Sequence, residues 1–175
     1  MSFRLETPRL VLRDWSDGDA DGLAELHADP EVTAELEGVL TREQSDAKLA
    51  WYLAMFEQEG YTRWVVEVDG RFAGTCGIAR HPDHDTIGPH VDIGWKLQRW
   101  AHGHGYATEA ARAVLDDAHE RLGDEPVYAY TSPTNVPSQR VMEKIGMTRR
   151  ADLDFVEAGY GVDGDWTGWV WVSER

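Results

Sequence analysis

The chain is poor in cysteine and contains no long apolar run. Cys76 is the single cysteine among 175 residues, so a disulfide within the chain and a metal site built from cysteines are both excluded. Its small and apolar neighbours favour a buried side chain over a nucleophile. No stretch approaches the roughly 18 consecutive apolar residues of a membrane helix, and the opening residues lack the apolar core of a secretory signal. We expect a cytoplasmic protein with no membrane partner.

Basic side chains are also scarce. The 17 Lys and Arg residues face 32 Asp and Glu residues, which leaves a formal net charge of −15. Such a surface repels the phosphates of nucleic acids, so we expect no nucleic-acid partner, and it attracts cations. Solubility or salt tolerance explains the same charge equally well. The length and the 42% hydrophobic content predict that residues 1–175 form a single domain with its own core.

Capping patterns predict two helices in the first third of the chain. Ser16 with Asp19 three residues later resembles a capping box, and Pro30 stops the helix that would follow. Thr41 with Gln44 forms a fuller capping box, and Gly60 is placed to end that second helix. A short apolar run before them predicts a first strand at residues 10–12.

The period then changes to that of strands. Two apolar runs flank Asp69-Gly70, which is the strongest hairpin signal in the sequence. We predict the order βααβββαβαβ, with a further strand near residues 152–156 left open, and therefore an α/β fold whose first half is mostly antiparallel. The later elements are strands at residues 64–68, 72–78, 90–97, 127–131 and 167–172, a helix from Thr108 to Gly123, and a helix from Pro137 to Gly146.

A loop with two glycines joins the strand at residues 90–97 to a helix. Gly103 and Gly105 carry no Cβ atom, so backbone N–H groups can approach a ligand there, and the helix near Thr108 adds the positive end of its dipole. These features predict a phosphate site, although close packing also explains such glycines. The loop matches neither the GxxxxGK[ST] loop of nucleoside triphosphatases nor the GxGxxG dinucleotide pattern.

The run HGHGYATEA resembles the acetyl-CoA pyrophosphate loop of the GNAT superfamily of N-acetyltransferases. The family pattern [QR]-x-x-G-x-[AG] corresponds to residues 102–107, with His102 standing where the family has Gln or Arg. Residues 5–13, 92–95 and 143–147, together with Asn135 and Ser138, resemble the branch typified by the ribosomal-protein N-terminal acetyltransferases. The resemblance covers roughly residues 3–150 in the expected order.

The resemblance implies a mixed, mostly antiparallel central sheet flanked by helices, with a splay between the family's fourth and fifth strands. It also implies that acetyl-CoA is the co-substrate. The splay needs a bulge or kink, for which Gly94 is a plausible place, and the alternative is that Gly94 only avoids a clash. The alternative for Asn135 is that it only caps the helix that follows. The implied cofactor-binding residues are Leu97, Gln98, Arg99, His102, Gly103, His104, Gly105, Tyr106, Ala107, Thr108 and Asn135.

Two residues are candidates for proton transfer. In the family the strand of Asp92 often carries an acid that takes a proton from the amine, and Ser138 lies where it could protonate the leaving thiolate. The alternatives are that Asp92 only pairs with a cation of a neighbouring strand and that Ser138 only caps its helix. The loop at residues 81–90 contains three histidines and two aspartates, but loops of this kind are mostly solvated, and we expect no metal.

These observations predict an acetyltransferase that moves an acetyl group to a primary amine by direct attack in a ternary complex. The amine belongs to a protein or peptide N-terminus or to a small molecule, and the enzyme is a monomer or a homodimer. An α-amine is favoured over lysine because its reference pKa of about 7.7–8.0 leaves more of it neutral. The rival hypotheses are a non-catalytic acyl-CoA-binding or sensing domain and an acidic interaction module.

Overall fold

The structure, a computed structural model, describes residues 3–36, 38–161 and 164–174. The described residues form nine strands in the order β1-β2-β3-β4-β5-β6-β9-β7, and β8 pairs with the outer part of β9. The strands are β1 Arg4–Glu6, β2 Val11–Arg13, β3 Arg63–Val68, β4 Arg71–His81, β5 His90–Leu97, β6 Val127–Thr131, β7 Thr148–Arg149, β8 Phe155–Gly161 and β9 Gly164–Ser173. The helices are α1 Asp19–Ala28, α2 Pro30–Thr33, α3 Arg42–Glu59, α4 Tyr106–Leu122 and α5 Val136–Lys144.

The expected fold class is confirmed: the sheet is mixed, mostly antiparallel and flanked by helices. Its one described parallel pair joins β5 and β6, and they pair only at Val91 with Val127 and at Asp92 with Tyr128. Beyond those positions β6 pairs with β9, while β5 continues to Leu97 along β4. The two strands therefore separate, and after Asp92 no described strand pairs with β5 on its β6 side.

The predicted bulge at Gly94 is wrong. The ladder between β4 and β5 runs without a shift through the pair of Gly77 and Gly94, and the register shift in this part of the sheet lies between Val66 and Glu67 of β3. A Cβ atom on Gly94 would lie 3.0 Å from an Nη atom of Arg63. The glycine therefore makes room for a guanidinium group, and the splay arises because β6 leaves β5.

The sheet separates two sets of side chains. Val91 and Ile93 of β5 join the main core together with Ala110 and Val114 of α4. Successive side chains of a strand point to opposite faces, so His90 and Asp92 lie on the face away from α4. That second face is covered by α1 and α3 near β4 and by the β8–β9 hairpin near β6. Cys76 is fully buried, as predicted, and burial raises the pKa of its thiol to about 12.

Local signals predicted the middle of the chain well. Thr41 and Gln44 form both bonds of the capping box, and Gly60 ends α3 with φ of 77°. Asp69 and Gly70 both have positive φ, 50° and 74°, as a type I′ hairpin requires.

The first 33 residues fold differently from the prediction in three places. The strand predicted at residues 10–12 is β2, and β1 before it was not predicted. Between the two strands the N–H of Thr7 donates to the carbonyl of Leu10 across Pro8. The backbone N–H and hydroxyl of Ser16 bond to the carboxylate of Asp19, yet α1 starts only at Asp19, so Ser16 is no N-cap. The helix α2, which begins at the proline expected to stop α1, was not predicted.

Candidate active site

The loop between β5 and α4 offers unpaired backbone donors. A 3-10 turn at Arg99–Ala101 leads into Gly103 and Gly105, whose φ angles of 79° and 80° are positions that favour glycine. Among the described residues, the N–H groups of 103–108 donate no hydrogen bond, and the first helical bond to a residue of this loop runs from Glu109 to Gly105. A helix start with free N–H groups is suited to phosphate.

Two side chains that the sequence analysis missed fix this loop. Arg9 donates to the carbonyl of His104 at 2.8 Å and to Glu109 at 2.7 Å, and its guanidinium lies 4.9 Å from the ring centre of Tyr106. Thr7 donates to the other oxygen of Glu109 at 2.6 Å. Burial raises the pKa of Glu109, but these hydrogen bonds outweigh it and lower that pKa below its usual range. Glu109 is thus an anion that ties the β1–β2 turn to the loop.

The side chains just before the loop are already engaged. Nε2 of His102 lies 2.9 Å from the carbonyl oxygen of Leu97, to which it donates. Gln98 donates through its backbone to Ala73 at 2.8 Å, and Arg99 pairs with carboxylates of the α1–α2 turn. The side chains of Gln98, Arg99 and His102 therefore all have partners within the chain.

Asp92 lies in a closed ion pair. Both its oxygens accept from Nη2 of Arg63 at 2.7 Å, and Oδ1 also lies 3.1 Å from Nε2 of His81. Burial raises the pKa of Asp92, but Arg63 and His81 outweigh it and lower the pKa to about 2. Arg63, which the sequence did not identify, lies on β3. The strand β4 separates β3 from β5, which carries Asp92.

The histidines predicted to be solvated form an aromatic cluster. The rings of His81 and His90 stack at 5.0 Å, and the ring of His84 lies edge-on to Phe155 at 4.4 Å. His90 is 2% exposed, donates from Nδ1 to a backbone carbonyl at 2.8 Å, and has a pKa lowered by burial. In the described part of the chain, no three His, Cys, Asp or Glu side chains are arranged to hold a metal ion.

Asn135 and Ser138 stand at the start of α5. The side-chain oxygen of Asn135 accepts from the N–H of Ser138 at 3.3 Å, and its amide nitrogen donates to Thr131 at 2.9 Å. Asn135 therefore caps the helix, and its part in binding the cofactor stays a prediction. Ser138 lies inside the first turn with Pro137, so it is not the cap, and its hydroxyl is free of that task.

Residues 9–148 match the family model of the acetyltransferase (GNAT) domain. The chain belongs to the GNAT acetyltransferase family. An uncharacterised protein of Bacillus subtilis, YkkB, is 34% identical to this acetyltransferase over 148 residues, which are 82% of this chain and 84% of YkkB.

Solved structures of acetyltransferases share the fold of this one. An acetyltransferase from Agrobacterium tumefaciens superposes with a TM-score of 0.81 at 26% identity, covering 99% of this chain and 95% of that one. RimL, a ribosomal L7/L12 alpha-N-protein acetyltransferase in complex with coenzyme A, gives a TM-score of 0.78 at 16% identity, covering 98% of each chain. In its described residues, the present acetyltransferase has no helix that is both long and apolar enough to cross a membrane.

Proposed function

We propose that residues 1–175 act as one domain that transfers the acetyl group of acetyl-CoA to a primary amine, by direct attack in a ternary complex in the cytoplasm. Membership of the family makes the protein an acyltransferase. The observation that carries the proposal is the row of free N–H groups at residues 103–108, placed at the end of a strand that has left its neighbour.

Acetyl-CoA fits this arrangement in two ways. The free N–H groups and the glycines between His102 and Thr108 suit the two charges of a pyrophosphate. The stretch of β5 from Asp92 to Leu97 is about 17 Å long at the usual rise per residue, and its β6 side is open to an extended arm. We propose that Leu97 to Arg99 contact that arm through backbone groups other than the Leu97 carbonyl and the Gln98 N–H, which already have partners.

The reaction needs a neutral amine, a stabilised oxyanion and a proton for sulfur. Ser138 remains our proposed donor to the leaving thiolate, because Asn135 does the capping and leaves the Ser138 hydroxyl for this task. Removal of the amine proton by Asp92 stays a prediction. A carboxylate with a pKa of about 2 is a weak base, so a direct transfer to Asp92 is disfavoured, and Asp92 acts best through a neighbour.

The first test concerns the loop. Gly105→Val places a branched side chain where phosphate oxygens must approach, and we expect calorimetric binding of acetyl-CoA to weaken by at least about tenfold, or 1.4 kcal/mol. Gly60→Val is a matched control, since Gly60 has nearly the same φ, 77° against 80°, and lies at the end of α3. Equal acetyl-CoA affinity in the two folded variants would show that the phosphate site is misplaced.

The second test separates the enzyme from a non-catalytic acyl-CoA sensor. The wild-type protein is mixed with acetyl-CoA and a panel of amines that includes free peptide N-termini, and released CoA thiol is measured. We expect release that depends on the amine. Tight binding of acetyl-CoA without release would support the sensing domain instead.

A further inference from the structure

His81 stands at the base of the opening between β5 and β6. His81 is the last residue of β4 and pairs with His90 of β5. Asp92 lies two residues after His90, so both side chains are on the same face of β5. On the other side of Asp92, Tyr128 is the last residue of β6 that pairs with β5, and the hydroxyl of Tyr130 lies 3.5 Å from Nε2 of His81. The ring is thus on the face away from α4, where the strands begin to part.

The partner of His81 fixes its tautomer. Asp92 is ionised at neutral pH, since its pKa is about 2, so its oxygens can only accept hydrogen bonds. Nε2 of His81 must therefore carry the hydrogen that points to Oδ1 at 3.1 Å. In the neutral ring the lone pair is then on Nδ1. No described residue donates to Nδ1, and the side chain is 31% exposed.

We propose that His81 accepts the proton of the substrate ammonium, and that Asp92 is a positioning residue that acts through it. The inference rests on the proposed function and names a base for it. Arg63 holds both oxygens of Asp92 at 2.7 Å, so the carboxylate cannot turn away from the ring. A carboxylate on one imidazole nitrogen orients the other and stabilises the imidazolium that forms.

One proton moves to His81 before the acetyl group is transferred. Nδ1 of His81 takes one proton from R–NH₃⁺, and the freed lone pair forms a C–N bond with the thioester carbon. Collapse of the tetrahedral intermediate breaks the C–S bond, and a second N–H proton ends on sulfur. The products are the N-acetyl amine, CoA with a free thiol, and one proton that leaves His81 for solvent through the exposed part of its side chain.

The surroundings of His81 tolerate its positive charge. In the described part of the chain, the charged and titratable groups that interact with this cluster are Tyr52, Arg63, His84, His90, Asp92, Tyr128, Tyr130, Glu157 and Tyr160. The charge of Arg63 is cancelled by Asp92, and burial lowers the pKa of His90, which therefore stays neutral beside its neighbour. An imidazolium at His81 keeps the Asp92 carboxylate at 3.1 Å. The group of Arg63, Asp92 and His81 then carries one net positive charge, and the 31% exposure of the His81 side chain lets water solvate it.

The first experiment replaces the base. In His81→Gln we expect kcat to fall by about 10²–10⁴, the usual contribution of a general base, with unchanged binding of acetyl-CoA. In His81→Gly, added imidazole should restore part of kcat. The control is His119→Gln and His119→Gly, because His119 lies on α4 and bonds to Ser173; these should keep the wild-type kcat and show no dependence on imidazole.

The second experiment tests the positioning role. Asp92→Asn should lower kcat and shift the acid limb of the kcat/KM profile to lower pH, because the imidazolium loses its anionic partner. An unmoved acid limb would overturn the role of Asp92. An active wild-type enzyme whose His81→Gln variant keeps kcat within about threefold would overturn the inference alone. A wild type that binds acetyl-CoA but releases no CoA with any amine would overturn the proposed function, and the inference with it.

Discussion

Asp92 and Arg63 form an ion pair that the fold almost encloses, with side chains 8% and 12% exposed. Such a pair is a weak source of net stability, because desolvation of both charges offsets their attraction. Breaking it is costly, since the remaining charge stays buried without a partner. Gly94 belongs to the same arrangement, because only a residue without Cβ leaves the space that the guanidinium of Arg63 occupies.

The stability of the fold should depend on this carboxylate in acid. The pKa of Asp92 is about 2 in the fold and about 3.9 in an unfolded chain, so its contribution is complete above about pH 4 and is lost as the pH falls towards 2. We expect Asp92→Asn to lower the free energy of unfolding by roughly 3 kcal/mol at pH 7, and by less below pH 4. Urea unfolding of both proteins from pH 7 to pH 3 measures the difference.

An exposed pair provides the control for that experiment. Arg150 and Asp152 have side chains 40% and 63% exposed, and exposed pairs add little to stability. Asp152→Asn should therefore unfold at nearly the same urea concentration as the wild type throughout this range. A gap between Asp92→Asn and wild type that is the same at pH 3 and pH 7 would contradict the assigned pKa.

At the scale of elements, the phosphate loop depends on the distant β1–β2 turn. Arg9 bonds the carbonyl of His104 and the carboxylate of Glu109, so the turn before β2 holds the start of α4. We expect Arg9→Ala to weaken acetyl-CoA binding about tenfold, or 1.4 kcal/mol, with little change in stability because the side chain is 49% exposed. Arg4→Ala removes a comparable arginine of β1, which pairs with Glu6. Equal calorimetric affinities of the two variants would exclude a role for Arg9 in holding the loop.

Elements with local signals could be predicted from the sequence, and those set by distant contacts could not. The capping box at Thr41 and the Asp69-Gly70 hairpin depend on neighbouring residues alone. The pairing of β7 with β9 and the pairing of β1 with β2 depend on strands that lie elsewhere in the chain.

The candidate site divides in the same way. The glycine loop was visible in the sequence because it is one continuous segment. The pair of Arg63 and Asp92 joins residues 29 positions apart across a strand that lies between them, and His81 meets Asp92 only through the register of β4 and β5. A histidine eleven positions from an aspartate has no periodic signature, so its place beside Asp92 becomes visible only in the folded sheet.

At the scale of the whole molecule, the net charge of −15 produces an electrostatic field that attracts cationic substrates before they bind. Primary amines are cations in neutral water, so the field should raise the rate at which they reach the site. Screening limits the effect, because the Debye length falls from about 30 Å at 0.01 M salt to about 10 Å at 0.1 M. We therefore expect kcat/KM for a cationic acceptor to fall as salt is added, while kcat at saturation changes little.

The charge of the amine also separates the possible acceptors. A lysine side chain, with a reference pKa of about 10.4, is almost wholly protonated at pH 7.5, whereas an α-amine near 7.7–8.0 is partly neutral. A single histidine base therefore has to remove the proton from a smaller fraction of α-amines than of lysine side chains. We expect a tripeptide with a free N-terminus to react faster than its N-blocked analogue that contains lysine. Steady-state rates for both peptides at two salt concentrations measure the two effects separately. Faster reaction of the blocked peptide would contradict the preference for α-amines, and a kcat/KM that does not respond to salt would show that the acidic surface serves solubility alone.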